Sequence, residues 1–280
     1  MNIKNALKNI NTGFTYREKS GVGYYTIPSF DATGIVRHGF TTRLGGISKG
    51  PFAALNLSWK RNDGSVETVE NYRLACAALG MDIGNIVFSN DEHGRNILRA
   101  DASFKGRGMG GENPCPKADG LTTNEKNVVL STMHADCLAI FILDIKNRAA
   151  ALCHSGWRGT ALKVGAAALE KMGLEYGTKP SDCIAAVGPG IASCCFEVDA
   201  PVAEKFTEAY PGLDCIKQIS ADKYTVDLFQ CSAAQLIEAG VPPENITISN
   251  LCTSCGKDLF YSYRREKGKT GAMASFLEII

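Results

Sequence analysis

Short, nearly unbroken apolar runs recur along this chain, separated by stretches with a helical period. The runs at 35–41, 85–89, 127–133, 138–143, 149–154, 183–188, 245–249 and 273–279 predict strands. They lack the alternation of a half-exposed sheet, so they should be covered on both faces. Helices are predicted over 65–80, 159–173, 198–210 and 227–240. The first follows Asp63 and Ser65 as candidate caps and stops at Gly80. In the second, Leu162, Ala166, Leu169 and Met172 share one face and predict a core stripe. Strands that alternate with helices in this way imply an α/β or α+β fold with a mixed sheet.

No repeat, low-complexity linker or charge block divides the chain, so it reads as a single domain over 1–280. The most loop-like stretch is GRGMGGENPCPK at 106–117. Its Gly-x-Gly lacks the strand-then-helix frame of a dinucleotide fingerprint.

Composition narrows the function classes. Thirty Lys and Arg nearly cancel 29 Asp and Glu, which argues against a polyelectrolyte partner such as nucleic acid and against an electrostatic membrane anchor. No run approaches the roughly 20 apolar residues of a membrane span. The first residues carry neither an apolar signal core nor a twin arginine, so a cytoplasmic location is expected. Eleven cysteines then read as free thiols or metal ligands rather than a disulfide framework. Cys76, Cys153, Cys183 and Cys231 lie in apolar stretches and read as small core residues.

The chemistry gathers at strand ends. His154 closes the run 149–154, Cys137 opens 138–143, and His93 follows 85–89. If the first two strands are neighbours, Cys137 and His154 face one another. The His can then activate a thiolate nucleophile, or both can bind zinc or copper. Adding His93 makes a two-imidazole, one-thiolate set with a fourth position open, which is the form of a catalytic metal site. The three positions are scattered over about 60 residues, and spacing alone leaves open a buried thiol beside two unrelated histidines.

Seven ordered segments bear on that choice: HGFTTRLGGIS (38–48), His-Gly (93–94), ADGLTTN (118–124), HADC (134–137), HSGWRGT (154–160), GPGIASCCFEV (188–198) and LCTSCGKDLFYSYRREKGKTG (251–271). Together they resemble the YfiH/laccase-domain family, also called the multicopper polyphenol oxidase or purine nucleoside phosphorylase family. The resemblance implies a four-layer α/β/β/α sandwich with mixed sheets, of the α+β class, grouped with cysteine-hydrolase-like toxins. It implies one metal held by His93, Cys137 and His154, zinc with copper as the alternative. Two departures stand out: Asp91 replaces the usual Gln and Ala139 the usual Pro.

The implied reactions are phosphorolysis of adenosine, inosine and S-methyl-5'-thioadenosine, and deamination of adenosine. Purine nucleoside and phosphate are then the expected ligands. Arg43 and Arg158 are candidate phosphate clamps, because a guanidinium matches phosphate oxygens, although either could instead hold a loop. His38 is a candidate substrate contact. Asp136 and Glu92 are candidate proton shuttles, or partners that orient a ligand imidazole. The cytidine-deaminase signature is absent. Cys252-x-x-Cys255 is a single pair, and Cys194-Cys195 has the wrong spacing for the second half of a four-thiolate site, so these read as core or pocket-lining thiols. Tyr261, Tyr263, Arg264 and Arg265 read as packing near the last strand, and Phe40 and Phe196 as core. Two rivals remain. Four histidines are too few for a four-copper oxidase. A metal-free cysteine hydrolase would use Cys137 and His154 alone.

Overall fold

The structure, a computed structural model, describes residues 3–59, 65–109 and 114–280. The candidate cap Asp63, the side chain of Ser65 and part of the 106–117 loop lie outside the described residues.

Two large sheets organise the chain. The seven-stranded sheet runs, in spatial order, Asn11–Thr12, Ile246–Ile248, Cys183–Val187, Leu138–Asp144, Ala149–Ser155, Gly120–Thr123 and Ile97–Arg99. Its central pairs are antiparallel and its outer pairs parallel, so it is mixed. The six-stranded sheet runs Thr15–Lys19, Val22–Thr26, Val36–Thr41, Met273–Ile279, Val129–His134 and Ile86–Phe88. A three-stranded antiparallel sheet joins Glu197–Asp199, Lys223–Val226 and Ile216–Gln218.

Alternation explains the unbroken apolar runs. Leu138, Ile140 and Ile142, with Ala149, Ala151 and Cys153, pack into a core that includes Leu169 and Met172 of helix Val164–Tyr176 and Ala233 and Leu236 of helix Leu228–Glu238. The intervening residues Ala139, Phe141, Leu143, Ala150 and Leu152 pack instead with Phe40, Leu130, Met273 and Leu277 of the six-stranded sheet. The other face of that sheet, through Val129, Ala274 and Phe276, packs on Tyr72, Ala75 and Cys76 of helix Ser65–Leu79. Every residue of Leu138–Asp144 and Ala149–Ser155 is therefore buried. At about 25 cal/mol per Å² of apolar surface, cores on both faces give these two strands the strongest reason to stay in place.

The predicted helix over 159–173 is two helices, Trp157–Ala161 and Val164–Tyr176. Lys163 between them has φ 59°, a left-handed conformation that no helix continues through. The break turns Leu162 out of the expected stripe, leaving it 48% exposed, while Leu169 and Met172 stay buried. The predicted helix over 198–210 starts at Ala200 because Glu197–Asp199 is a strand. Among the described residues, no helix is long and apolar enough to cross a membrane.

Candidate metal centre

The Leu138–Asp144 and Ala149–Ser155 strands are antiparallel neighbours, with His154 opposite Ala139. Cys137 therefore enters its strand beside the place where His154 leaves its own. His154 shares the parity of Ala150 and Leu152, so it faces the second sheet, and its ring centroid lies 5.6 Å from that of His134. His93 arrives from the loop after Ile86–Phe88 in a left-handed conformation, φ 63°. One donor atom from each of His93, Cys137 and His154 lies within 4.8 Å of the others. The His93 and His154 rings meet edge to face, with centroids 4.9 Å apart.

Asp119 shapes this arrangement, and the sequence reading missed it. Its buried carboxylate accepts the amide N–H of Glu92 and Gly94 at 2.9 Å on Oδ1 and of Asn96 at 3.0 Å on Oδ2. Its carbonyl accepts the N–H of His154 at 2.7 Å. One residue thus fixes the loop that carries His93 and the strand end that carries His154. Its signal was an acid inside ADGLTTN, next to a strand-starting Gly.

Gly156 sits against the donors. A Cβ there would lie 3.1 Å from Cys137 Sγ, 3.1 Å from His93 Cδ2 and 3.8 Å from His154 Cε1. The space at this residue thus belongs to the donor set. Two imidazoles and a thiol in reach of one point suit zinc, whose bonds to nitrogen and sulfur are about 2.0–2.3 Å. The residues present therefore fit a metal. Burial, reinforced by the carboxylates of Asp136 and Asp91, pushes the Cys137 thiol up to about 12. Without a cation that sulfur stays protonated at neutral pH. Asp91 lies 3.6 Å from His93 Nδ1 and 3.9 Å from His154 Nδ1, so its negative charge falls on both rings.

The set lies in a cavity of about 810 Å³ that His134, Asp136, Trp157, Arg158, Phe196 and Tyr263 help to line. Asp136 is held on both oxygens: Thr253 Oγ1 donates at 2.7 Å and the Arg264 amide at 2.7 Å. It is thus an anchor for the segment after Leu251. His134 Nδ1 lies 3.1 Å from the Cys137 carbonyl, while Nε2 meets Thr132 and Ser275 hydroxyls at 2.7 and 2.8 Å. A ring that donates from Nδ1 and accepts at Nε2 satisfies all three contacts as the neutral tautomer. Burial, with His154 beside it, pulls its pKa down to about 3.

Other expected residues lie elsewhere. His38 is not among the cavity-lining residues. It is buried, accepts the Ile27 amide at 2.8 Å on Nε2, and burial takes its pKa down to about 4. Arg43 holds a loop: its guanidinium donates to the Ala53 carbonyl at 2.8 and 3.1 Å, meets Glu266 at 3.4 Å and stacks over Tyr261 at 4.5 Å. Arg158 does reach the cavity, exposed and stacked over Trp157 at 4.5 Å. Glu92 pairs with Lys117 at the surface and is absent from the cavity lining. The expected aromatic–arginine packing cluster divides. Tyr261 is fully buried and Arg265 binds the Thr253, Ser254 and Phe260 carbonyls, whereas Tyr263 and Arg264 line the cavity. Phe40 is core, while Phe196, though buried, also lines the cavity.

A mixed-sheet protein with histidine and cysteine donors converging at neighbouring strand ends is the class that this geometry defines. The chain belongs to the YfiH/laccase-domain family: the model described as "Multi-copper polyphenol oxidoreductase laccase" matches residues 37–280. Among curated proteins it is similar to the purine nucleoside phosphorylase YlmD of Bacillus subtilis (strain 168), with 33% identity over 241 residues, 85% of this chain and 87% of the relative. It is similar to a purine nucleoside phosphorylase of Bacteroides thetaiotaomicron, with 29% identity over 268 residues, 94% and 97% of the two chains. The crystal structure of YlmD from Geobacillus stearothermophilus superposes with a TM-score of 0.89 at 33% identity, covering 95% of this chain and 98% of that one.

Proposed function

We propose that this chain is a metal-dependent purine nucleoside phosphorylase that cleaves adenosine, inosine and S-methyl-5'-thioadenosine with phosphate and also deaminates adenosine. The observation that carries this reading is the donor set of His93, Cys137 and His154 opening onto a cavity large enough for a nucleoside. The names of the relatives support it. The ion would be zinc, with copper as the alternative, and when bound it supplies Lewis acidity. The chain's own residues do the rest. Tyr263, Phe196 and Trp157 offer aromatic faces for a purine. Arg158 offers an exposed guanidinium for phosphate. Asp136 and Asp91 carry the negative charge nearest the donors; Asp136 holds the wall, and Asp91 tunes the imidazoles. In the same reading the molecule is one cytoplasmic domain, with its three cores in series forming an α/β/β/α sandwich.

Two rivals lose ground on specific contacts. Of the four histidines, His38 and His134 are already bound to backbone or hydroxyl groups, which leaves two imidazoles and no basis for several coppers. A metal-free Cys137 nucleophile would need a thiolate that burial opposes. The test is to incubate pure protein with adenosine and phosphate and follow adenine, inosine and ribose-1-phosphate. No product in the presence of zinc sinks the proposal. Phenol oxidation with stoichiometric copper favours the oxidase, and full activity after complete chelation favours the thiol.

A further inference from the structure

The second convergence of donors lies outside the cavity lining and corrects the sequence reading of core or pocket-lining thiols. Cys194, Cys195, Cys252 and Cys255 place their four sulfurs within 4.8 Å of one another. They come from two loops, one at 192–196 after strand Cys183–Val187 and one at 250–256 after strand Ile246–Ile248, which are parallel neighbours in the seven-stranded sheet. The loops continue that pairing: the Gly190 amide donates to the Leu251 carbonyl at 3.1 Å, and the Thr253 amide to the Gly190 carbonyl at 3.0 Å. Spacing along the chain could not reveal this, because the sheet supplies the proximity.

The distances discriminate between a disulfide and an ion. Cys194 Sγ lies 3.8 Å from Cys195 Sγ and 3.6 Å from Cys255 Sγ, and Cys195 Sγ lies 3.4 Å from Cys255 Sγ. A disulfide requires about 2.05 Å. Four sulfurs placed tetrahedrally at about 2.3 Å from zinc stand about 3.8 Å from one another. The surroundings match as well. The Ala192 amide points at Cys252 Sγ from 3.4 Å. Gly256 follows Cys255 where a Cβ would strike Phe260 at 2.8 Å. Two arginines brace the loops: Arg264 donates to the Cys195 carbonyl at 3.1 Å, and Arg265 to the Thr253 and Ser254 carbonyls at 2.8 and 2.9 Å. Four ionised thiolates on a divalent ion carry a net double negative charge; Arg264 offsets part of it, while Arg265, paired with Glu266 at 2.7 Å, braces the loop carbonyls.

We infer that Cys194, Cys195, Cys252 and Cys255 form a closed four-thiolate zinc site that fastens two loops of the cavity wall. Its neighbours are the wall itself. The Ile191 amide donates to the Asp136 carbonyl at 2.8 Å, Thr253 and Arg264 hold the Asp136 carboxylate, and Ile191, Phe196 and Arg264 line the cavity. The site is structural, having no open position for a reactant. Zinc binding there releases thiol protons and joins the two loops without a redox step.

Zinc per chain, measured on the full-length protein purified under reductant, tests this. The wild type should hold two zinc ions, His154→Ala one, the Cys194→Ser/Cys255→Ser pair one, and the combination none. Cobalt added to metal-free His154→Ala protein should give the intense thiolate charge-transfer absorption of a four-sulfur site, lost in the combined variant. This second measurement holds even where the serine pair folds poorly. The serine pair should keep its cavity metal and raise KM for nucleoside a few-fold more than it lowers kcat. A His154→Ala protein that binds neither zinc nor cobalt, or a disulfide among these four cysteines in the freshly reduced protein, overturns the inference. The His154→Ala result also separates this site from the cavity reading, because the latter can fail while one zinc remains.

Discussion

Two kinds of polar region lie within this fold. At the cavity, His93, Cys137, His154 and Arg158 present donor groups to an open space. Away from it, His38, Arg43 and Asp119 use theirs on backbone amides and carbonyls. The residue types are alike and several stand in the same motifs. Whether the surrounding backbone already satisfies a side chain decides which kind it is. A buried group that has lost its partner costs about 1–3 kcal/mol, so interior groups should govern stability and cavity groups chemistry.

The sharpest way to break this contrast is His154→Ala. A lost Lewis acid is worth several kcal/mol, so kcat/KM for phosphorolysis should fall about 10³-fold, while the melting temperature of the zinc-free protein should drop only by what truncating one buried ring costs. A comparable loss of both would erase the distinction. Acid comes next, through His38. Its folded pKa of about 4 lies below the ordinary 6.5, so between these values the unfolded chain binds a proton that the folded chain refuses. Stability is full above pH 6.5 and is lost as pH falls towards 4, by on the order of 3 kcal/mol. In His38→Gln, where an amide oxygen can still accept from Ile27, urea midpoints at pH 7 and pH 4.5 should converge relative to wild type. An unchanged slope would show that His38 is not the titrating group.

Asp119→Asn lies on the border between the two regions. An amide cannot accept three N–H bonds as a carboxylate does, so metal affinity should weaken by about 10- to 100-fold, measured by chelator competition. Wild-type affinity would mean that the His93 loop holds itself. The smallest effect separates the two arginines. Arg158→Ala should raise KM for phosphate about tenfold with an unchanged melting temperature, as expected for a lost charge-assisted contact. Arg43→Ala should leave KM unchanged and lower stability by about 1–2 kcal/mol, because it frees the Ala53 carbonyl and a stacked ring. Exchanged outcomes would make Arg43, not Arg158, the phosphate clamp.

The strands that carry the centre were legible because burial on both faces leaves continuous apolar runs, and 138–143 and 149–154 are accurate to within one residue at either end. Thr15–Lys19 was not, since all five residues are exposed at a sheet edge and carry no apolar pattern. Gly120–Thr123 and the three strands after Cys195 are too short to show a period. Within the site, the donor residues could be named from their types and motif positions. The roles of Arg43, His38 and Asp119 could not, because they depend on which carbonyl or amide the fold sets opposite. The four-cysteine cluster shows this limit most clearly: the rule for paired cysteines looks along the chain, whereas the sheet joins loops about 60 residues apart.

The grip on Asp136 has a consequence for how the protein can change over generations. Both oxygens of that carboxylate are taken by Thr253 and Arg264, and the next residue, Cys137, carries one of the three converging donor atoms. The Thr253 hydroxyl is a side-chain contact and the Arg264 N–H a main-chain one, so positions 136 and 253 should change together, whereas a new side chain at 264 leaves this grip intact.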